Sequence, residues 1–109
     1  MDEYKVKITP QASAQMFEIF IYISGVLKES GAATRLLDEL EKRILSLCTM
    51  PKRIALVDEE PWKSHGIHKM PVKNFLVYFW VNDELKEVHI TAVIYGRRDQ
   101  REALKQMDI

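Results

Sequence analysis

Between Phe75 and Tyr95 the chain carries two runs of β-branched and aromatic residues separated by a short polar stretch, and this feature restricts the fold more than any other. Such residues suit a pleated, half-buried surface, and a connection as short as residues 83–86 joins two strands only as an antiparallel hairpin. Residues 75–81 are almost continuously apolar, which implies burial on both faces and a central place in a sheet. A shorter candidate at residues 67–70 precedes them, so the second half of the chain reads as a three-stranded meander. Gly96 stops the last strand. Asp99, followed three residues later by Glu102, has the spacing of a capping box and opens a short helix reaching about Met107.

The first half has a different period. Residues 4–8 alternate, with Tyr4, Val6 and Ile8 on one face and Lys5 and Lys7 on the other, the pattern of a half-buried strand. Thr9 followed by Pro10 predicts a helix start: the threonine hydroxyl accepts an orphan N–H, and proline gives up a donor that has no partner in the first turn. Met16, Phe20, Ile23 and Leu27 recur at three- and four-residue spacing, Phe17 and Ile21 widen the stripe, and Gly31 is the expected end. Residues 32–50 repeat the period through Ala33, Leu36, Leu37, Leu40, Ile44 and Leu47, and Pro51 closes this second helix. A connection of a few residues lays the helices side by side, so residues 10–50 are expected to form an antiparallel hairpin. Residues 51–66 show no sustained period and are expected to be mostly loop. The order β, α, α, β, β, β, α predicts an α+β fold of two layers. In it, an N-terminal strand and helical hairpin pack on an antiparallel sheet of about four strands, with a short C-terminal helix and the other sheet face left open.

One domain spanning residues 1–109 is expected, because a chain of this length buries roughly 60–70% of its unfolded surface and supports a single modest core. No apolar stretch approaches the roughly 20 residues needed to cross a bilayer, and the first residues lack a basic then apolar leader pattern. A cytoplasmic location is expected. The single Cys48 rules out an internal disulfide and a thiolate-rich metal centre, and the histidines have no ligand-pair spacing, so neither metal nor cofactor is expected. There is no Gly-rich phosphate loop, nucleophile elbow or motif-flanked carboxylate pair, which removes most enzyme classes. The 16 Lys and Arg balance 16 Asp and Glu, so any anion site must be a local patch rather than a generally basic surface.

Such a patch is visible. Residues 61–82 hold Lys63, Lys69, Lys73, His65 and His68 and no carboxylate, and Arg97, Arg98 and Arg101 follow the last strand. Two basic segments, one entering the sheet and one leaving it, can meet at one end of the fold. Arginine offers a planar fork matched to phosphate and lysine a point charge, so Arg97, Arg98 and Lys69 suit a phosphodiester. Each cation also has a plain reading as a solvated surface charge. The place of Arg97 and Arg98, just past a core strand and before a helix, argues for rigid presentation. His68, between cations that favour its neutral form, is the best acid–base candidate, with His65 and His89 behind it. Tyr95 at the strand end can reach a phosphate or a base. Tyr78 and Trp80 share one face of the central strand and Phe75, Val77 and Phe79 the other, and core packing is their expected role over base stacking. Trp62 is read as a lid or as a satellite hydrophobic anchor, and Cys48 as a small core residue.

Residues 66–78 (GIHKMPVKNFLVY) and 93–99 (VIYGRRD) resemble the RelE/ParE family of type II toxin–antitoxin toxins, and the element order matches too. The resemblance implies a small toxin held inactive by a cognate antitoxin that wraps the helical hairpin and sheet edge in a hetero-oligomer. RelE-like members enter the ribosomal A site and cleave mRNA by attack of a 2′-hydroxyl on the adjacent phosphate, whereas ParE-like members inhibit DNA gyrase. On the RelE-like pattern the chain is expected to be an mRNA interferase, a ribosome-dependent endoribonuclease. Arg98, His68, Lys69 and Arg97 are then the catalytic candidates, and Lys73, His65, Tyr95 and Arg101 the substrate-binding ones. Arg98 falls at a phosphate-stabilising arginine of the last strand end, and His68 near a basic residue of the second strand. Two positions depart from the pattern: Phe75 stands where a basic residue is expected, and Leu104 where a tyrosine is. An acid–base group contributes about 10² to 10⁴-fold to rate, so His65, His68 or Tyr95 would have to substitute. These departures and the zero net charge leave two alternatives open, a ParE-like gyrase inhibitor without nuclease activity and a degenerate, non-toxic binding module.

Overall fold

The computed structural model describes residues 3–98 and 100–107, without the side chain of Arg101. The cap expected at Asp99 and the placement of the Arg101 guanidinium lie outside the described residues. Strand β1 (Lys5–Ile8) leads into helix α1 (Pro10–Ile21), capped as its sequence predicts. The Thr9 hydroxyl oxygen accepts the Ala12 N–H at 3.2 Å and donates to the Ile90 carbonyl at 2.8 Å, which ties the helix start to the sheet. The helix does not run on to Gly31. A π-helical turn, Tyr22–Val26, follows it, and Lys28, in the left-handed region at φ 53°, reverses the chain. Gly31 instead lies in the first turn of α2 (Ser30–Leu45). The Ser24 hydroxyl donates to the Phe20 carbonyl at 2.7 Å, a local bond of the kind that disturbs a helix from within. Hydrophobic spacing does not register such a bond, so the stripe continues where the α-helix stops.

Strands β2 (His68–Val72), β3 (Phe75–Asn82) and β4 (Glu87–Tyr95) form the expected meander, and the sheet order is β1-β4-β3-β2, with β3 inside. The β1–β4 pair is parallel, so the sheet is mixed. A helical hairpin and two strands separate β1 from β4, and no tight turn dictates their relative direction. A register shift opposite Tyr78 and Phe79 leaves Thr91 as the extra residue of a bulge in β4. Thr91 thereby turns to the same side as Ala92, with its hydroxyl 3.0 Å from Met107 Sδ.

On one face of the sheet, Ala12, Met16, Leu40 and Ile44 of the hairpin close over Met70, Val77, Phe79 and Ile90. The opposite face is not open, as the two-layer expectation had it. Val57 and Trp62 from the aperiodic segment and Ile67 just before β2, with Ala103, Leu104 and Met107 around the short helix α3 (Gln100–Lys105), cover Tyr78, Ala92 and Ile94. A second, smaller core therefore shares the sheet with the first. Both are built on one sheet, whose alternate residues point to opposite faces. Trp62, 8% exposed, is the anchor of the loop rather than a lid. Among the described residues no helix is long and apolar enough to cross a membrane.

Candidate functional site

The site lies where β2 turns into β3 and where β4 leaves the sheet. Phe75, the first residue of β3, pairs with Tyr95, the last of β4, and their rings meet at 5.5 Å in a tilted arrangement. The β2–β3 turn is made by Lys73, at φ 54°, and Asn74. Gly96 then passes so close that its N–H donates to the Asn74 carbonyl at 2.8 Å, and a Cβ there would sit 3.0 Å from that oxygen. Only glycine allows this approach without displacement. The contact brings Lys73 of one turn beside Arg97 of the other across a cleft of about 240 Å³ floored by Phe75 and Leu76. A second groove of about 610 Å³ runs from Phe75, Tyr95 and Arg98 to Glu18, Tyr22 and Leu27 at the end of the helical hairpin.

The cations here are exposed and little engaged. Among the described residues, neither Lys73 nor Arg97 makes a side-chain hydrogen bond or ion pair, and Arg98 reaches only Gln106 Oε1 at 3.4 Å. Tyr95 is 42% exposed beside them. The turn itself is well held: the Arg98 N–H donates to the Tyr95 carbonyl at 3.0 Å, and the Gln100 amide nitrogen donates to the Tyr95 and Arg98 carbonyls, each at 2.8 Å. The hydroxyl of Tyr78 donates to Gln100 Oε1 at 2.6 Å from inside the second core. Burial pushes the Tyr78 phenol up to about 12, with the Glu59 carboxylate adding to the effect.

Not every candidate converges on this end. His68 begins β2, four residues or roughly 13 Å of strand from Val72. It is 7% exposed, lies flat on Phe79 at 4.9 Å, and its Nδ1 is 2.7 Å from the Ile54 carbonyl, which can only accept, so that nitrogen carries the proton. It is a core histidine satisfied by the backbone, and the acid–base expectation for it is corrected accordingly. Lys69, the second residue of the edge strand β2, pairs with Tyr78 and is half-buried, so it does not join Arg97 and Arg98 at the strand ends. His65 lies in the loop before β2, away from the Lys73 turn, and its N–H bonds to Pro61 and Trp62 carbonyls. His89 stacks on Trp80 at 4.3 Å and meets Glu87 at 3.1 Å. Of the eight residues singled out, the structure brings Arg97, Arg98, Lys73 and Tyr95 together. Gln100, Phe75 and Gly96 complete the site. Gln100 carries no chemical motif; its only signal is a long polar side chain at the junction of strand exit and helix.

Three exposed cations surround an aromatic pair on strand ends held by a hairpin and a C-terminal helix of a small α+β protein. Such an architecture is that of small toxins with a helical hairpin on a four-stranded sheet. The sequence profile of the ParE toxin of type II toxin–antitoxin system, parDE, matches residues 6–100, and the chain belongs to that family. No curated protein matches the chain significantly. Among solved structures, the chromosomal ParDE toxin–antitoxin system of P. aeruginosa superposes with a TM-score of 0.70 at 19% identity, covering 87% of this chain and 98% of that one. The RelBE2 toxin–antitoxin complex of Mycobacterium tuberculosis gives 0.65 at 17% identity, covering 85% and 98%. An arginine-substituted variant of the E. coli toxin RelE in the free state gives 0.64 at 16% identity, covering 95% and 97%. At these identities the superpositions establish the shared fold.

Proposed function

We propose that this toxin arrests growth by docking the cationic end of its sheet on a target protein, in the manner of ParE-like inhibitors of DNA gyrase. The observation that carries the reading is the set of exposed, weakly engaged cations, Lys73, Arg97 and Arg98, around the Phe75–Tyr95 pair. Among the described residues no imidazole lines this end: His68 is engaged by the core, and Leu104, at the expected tyrosine position, is 1% exposed in the second core, while Glu18 is the carboxylate that shares the Arg98 groove. Charge and aromatic surface with no imidazole beside them suit recognition better than acid–base cleavage. The interferase reading keeps one specific support. Tyr95 holds an exposed hydroxyl in the same groove as Arg98, an arrangement that can clamp a phosphate and supply a proton.

A cognate antitoxin is the second partner, and the two act in the cytoplasm. The helical hairpin presents an apolar groove of about 550 Å³ lined by Ile8, Met16, Phe17, Phe20, Leu37 and Leu45, with Phe17 65% and Leu45 61% exposed. An unpartnered apolar surface of this kind calls for a protein cover. It lies apart from the cationic end, so a neutralising chain can hold the hairpin and still reach the arginines.

Two assays on the purified chain test the target: gyrase supercoiling, and primer extension on mRNA in a reconstituted translation reaction, each with the Arg98→Ala variant beside the parent. Inhibited supercoiling that is lost in the variant, with intact mRNA, is the expected result. Ribosome-dependent cuts lost in the variant establish the interferase instead. A parent chain that does neither and permits normal growth is a non-toxic binding module.

A further inference from the structure

We infer that Gln100 is the positioning residue of this site: its side-chain amide, seated on the Tyr78 hydroxyl, holds the turn that presents Arg97 and Arg98. The inference rests on the proposed role of that turn in target binding. Leaving the sheet, residues 95–98 close one backbone hydrogen bond of their own, from Arg98 N–H to the Tyr95 carbonyl. The Tyr95 and Arg98 carbonyls both converge on Gln100 Nε2 at 2.8 Å. A primary amide has two N–H donors, so one side chain satisfies both carbonyls at once.

The amide oxygen faces the other way and accepts the Tyr78 O–H at 2.6 Å. Tyr78 is 1% exposed and paired on both sides, with Lys69 in β2 and Ala92 in β4, so it is an anchor set in the sheet. Because its phenol is pushed up to about 12, it remains a donor across the physiological range. A donor on the inside and two acceptors on the outside fix which end of the amide points where. Hydrogen bonds in such a chain polarise one another, so the three contacts act as a unit.

Other side chains break the unit in distinct ways. Glutamate would still accept from Tyr78 but would set an oxygen against two carbonyls. Lysine or arginine would serve the carbonyls and leave Tyr78 without its acceptor, and asparagine is one methylene short of spanning the gap.

Amide hydrogen exchange on the full chain, followed by NMR, tests this directly. In Gln100→Glu and Gln100→Ala the Arg98 amide is expected to exchange at least about tenfold faster, while core amides such as Val77 and Ile90 keep their protection. The glutamate variant is the discriminating one, because a packing role predicts parental behaviour from so close an isostere. Tyr78→Phe, which keeps both amide donors and removes only the inward anchor, is expected to fall between parent and Gln100→Ala, and it serves if either Gln100 variant folds poorly. Growth arrest should weaken in the same order. Arg98 exchange within about twofold of the parent in all three variants overturns the inference. Faster exchange with undiminished arrest, in a strain where Arg98→Ala abolishes arrest, overturns the functional half of it. Arrest that survives Arg98→Ala defeats the reading of the arginine end instead, and exchange alone then decides whether Gln100 orders the turn.

Discussion

The two ends of the sheet carry similar numbers of cations and treat them in opposite ways. At the end formed by the β3–β4 turn and the start of β1, Lys52 meets Asp83 at 3.0 Å, Lys7 meets Glu87 at 2.7 Å, and Lys86 lies 5.2 Å from the centre of the Tyr4 ring. The Tyr4 hydroxyl completes this set by donating to Asp83 at 3.0 Å. At the other end, among the described residues, Lys73 and Arg97 face solvent with no such partners, and Arg98 has one long contact with a neutral amide. Surface pairs of this kind contribute little to stability, so their presence at one end is no stability requirement. At the cationic end a tight glycine contact and the Tyr78–Gln100 hydrogen bonds hold the backbone of the turns, while among the described residues the Lys73 and Arg97 side chains have no ion-pair partner.

If that contrast is functional, removing a cation must have opposite consequences at the two ends. Arg98→Ala is expected to abolish growth arrest and weaken target binding by about 10²-fold, the scale for truncating one partner of a desolvated charge contact. Its unfolding free energy in urea should stay within about 0.5 kcal/mol of the parent, as for exposed substitutions generally, and its antitoxin affinity should be little changed. Lys52→Ala should leave arrest intact. Equal loss of arrest from both substitutions would sink the distinction between the ends.

Gly96→Ala probes the contact that brings the two cationic turns together. The added Cβ meets a backbone oxygen at 3.0 Å, and neither the Asn74 carbonyl nor the turn can yield as a flexible side chain would. A cost of about 1–3 kcal/mol is expected from such overpacking, read by urea denaturation, with arrest lowered because Lys73 and Arg97 separate. Alanine at the exposed Gly25, where nothing lies within 4 Å, is the matched control.

Much of this molecule is legible in its residues, and the exceptions share a cause. The Thr9–Pro10 helix start, the near-continuous apolar run of β3 and the strand stop at Gly96 follow from local patterns and special residues, and these place Arg97 and Arg98 at a strand end. What escapes is whatever depends on segments without a period. Residues 51–66 have none, so the burial of Val57 and Trp62 over the second sheet face cannot be read from them, and neither can the capture of His68 by the Ile54 carbonyl. The direction of β1 escapes because a long crossover leaves it free. Gln100 escapes because its role is an accounting of hydrogen-bond donors that exists only once Tyr78, Tyr95 and Arg98 are neighbours.

The buried link between the second core and the cationic turn has a signature at high pH. Tyr78→Phe removes one donor and leaves Gln100 Oε1 without its partner, at a cost of about 1 kcal/mol near neutrality. The folded-state value of about 12 lies above the ordinary tyrosine range near 10. Between these the unfolded chain has lost the proton and the folded one has kept it, so the contribution is fully present below pH 10 and lost as pH rises toward 12. The slope is roughly 1.4 kcal/mol per pH unit. The parent should therefore lose its advantage over Tyr78→Phe between pH 10 and 12 in paired urea titrations, and a constant difference would show that Tyr78 is not held protonated by burial.

The neutralised end gives the smallest effect, at the opposite extreme of pH. Hydrogen bonds from Lys52 and then Tyr4 hold the Asp83 carboxyl below its usual range, and Lys7 does the same for Glu87. For groups depressed in the folded state the sign reverses: their contribution is present above the ordinary carboxylate range and is lost as pH falls through the folded value. Asp83→Asn should therefore lower the urea midpoint slightly at pH 7 and not at all near pH 2, while growth arrest stays parental at neutral pH. Adding salt should shrink the difference at pH 7, because exposed pairs are screened. The same salt should weaken target binding at the arginine end by far more, since there the paired anion belongs to another molecule and association itself depends on the field. A salt response of equal size at both ends would mean that Lys73, Arg97 and Arg98 are ordinary surface charges after all.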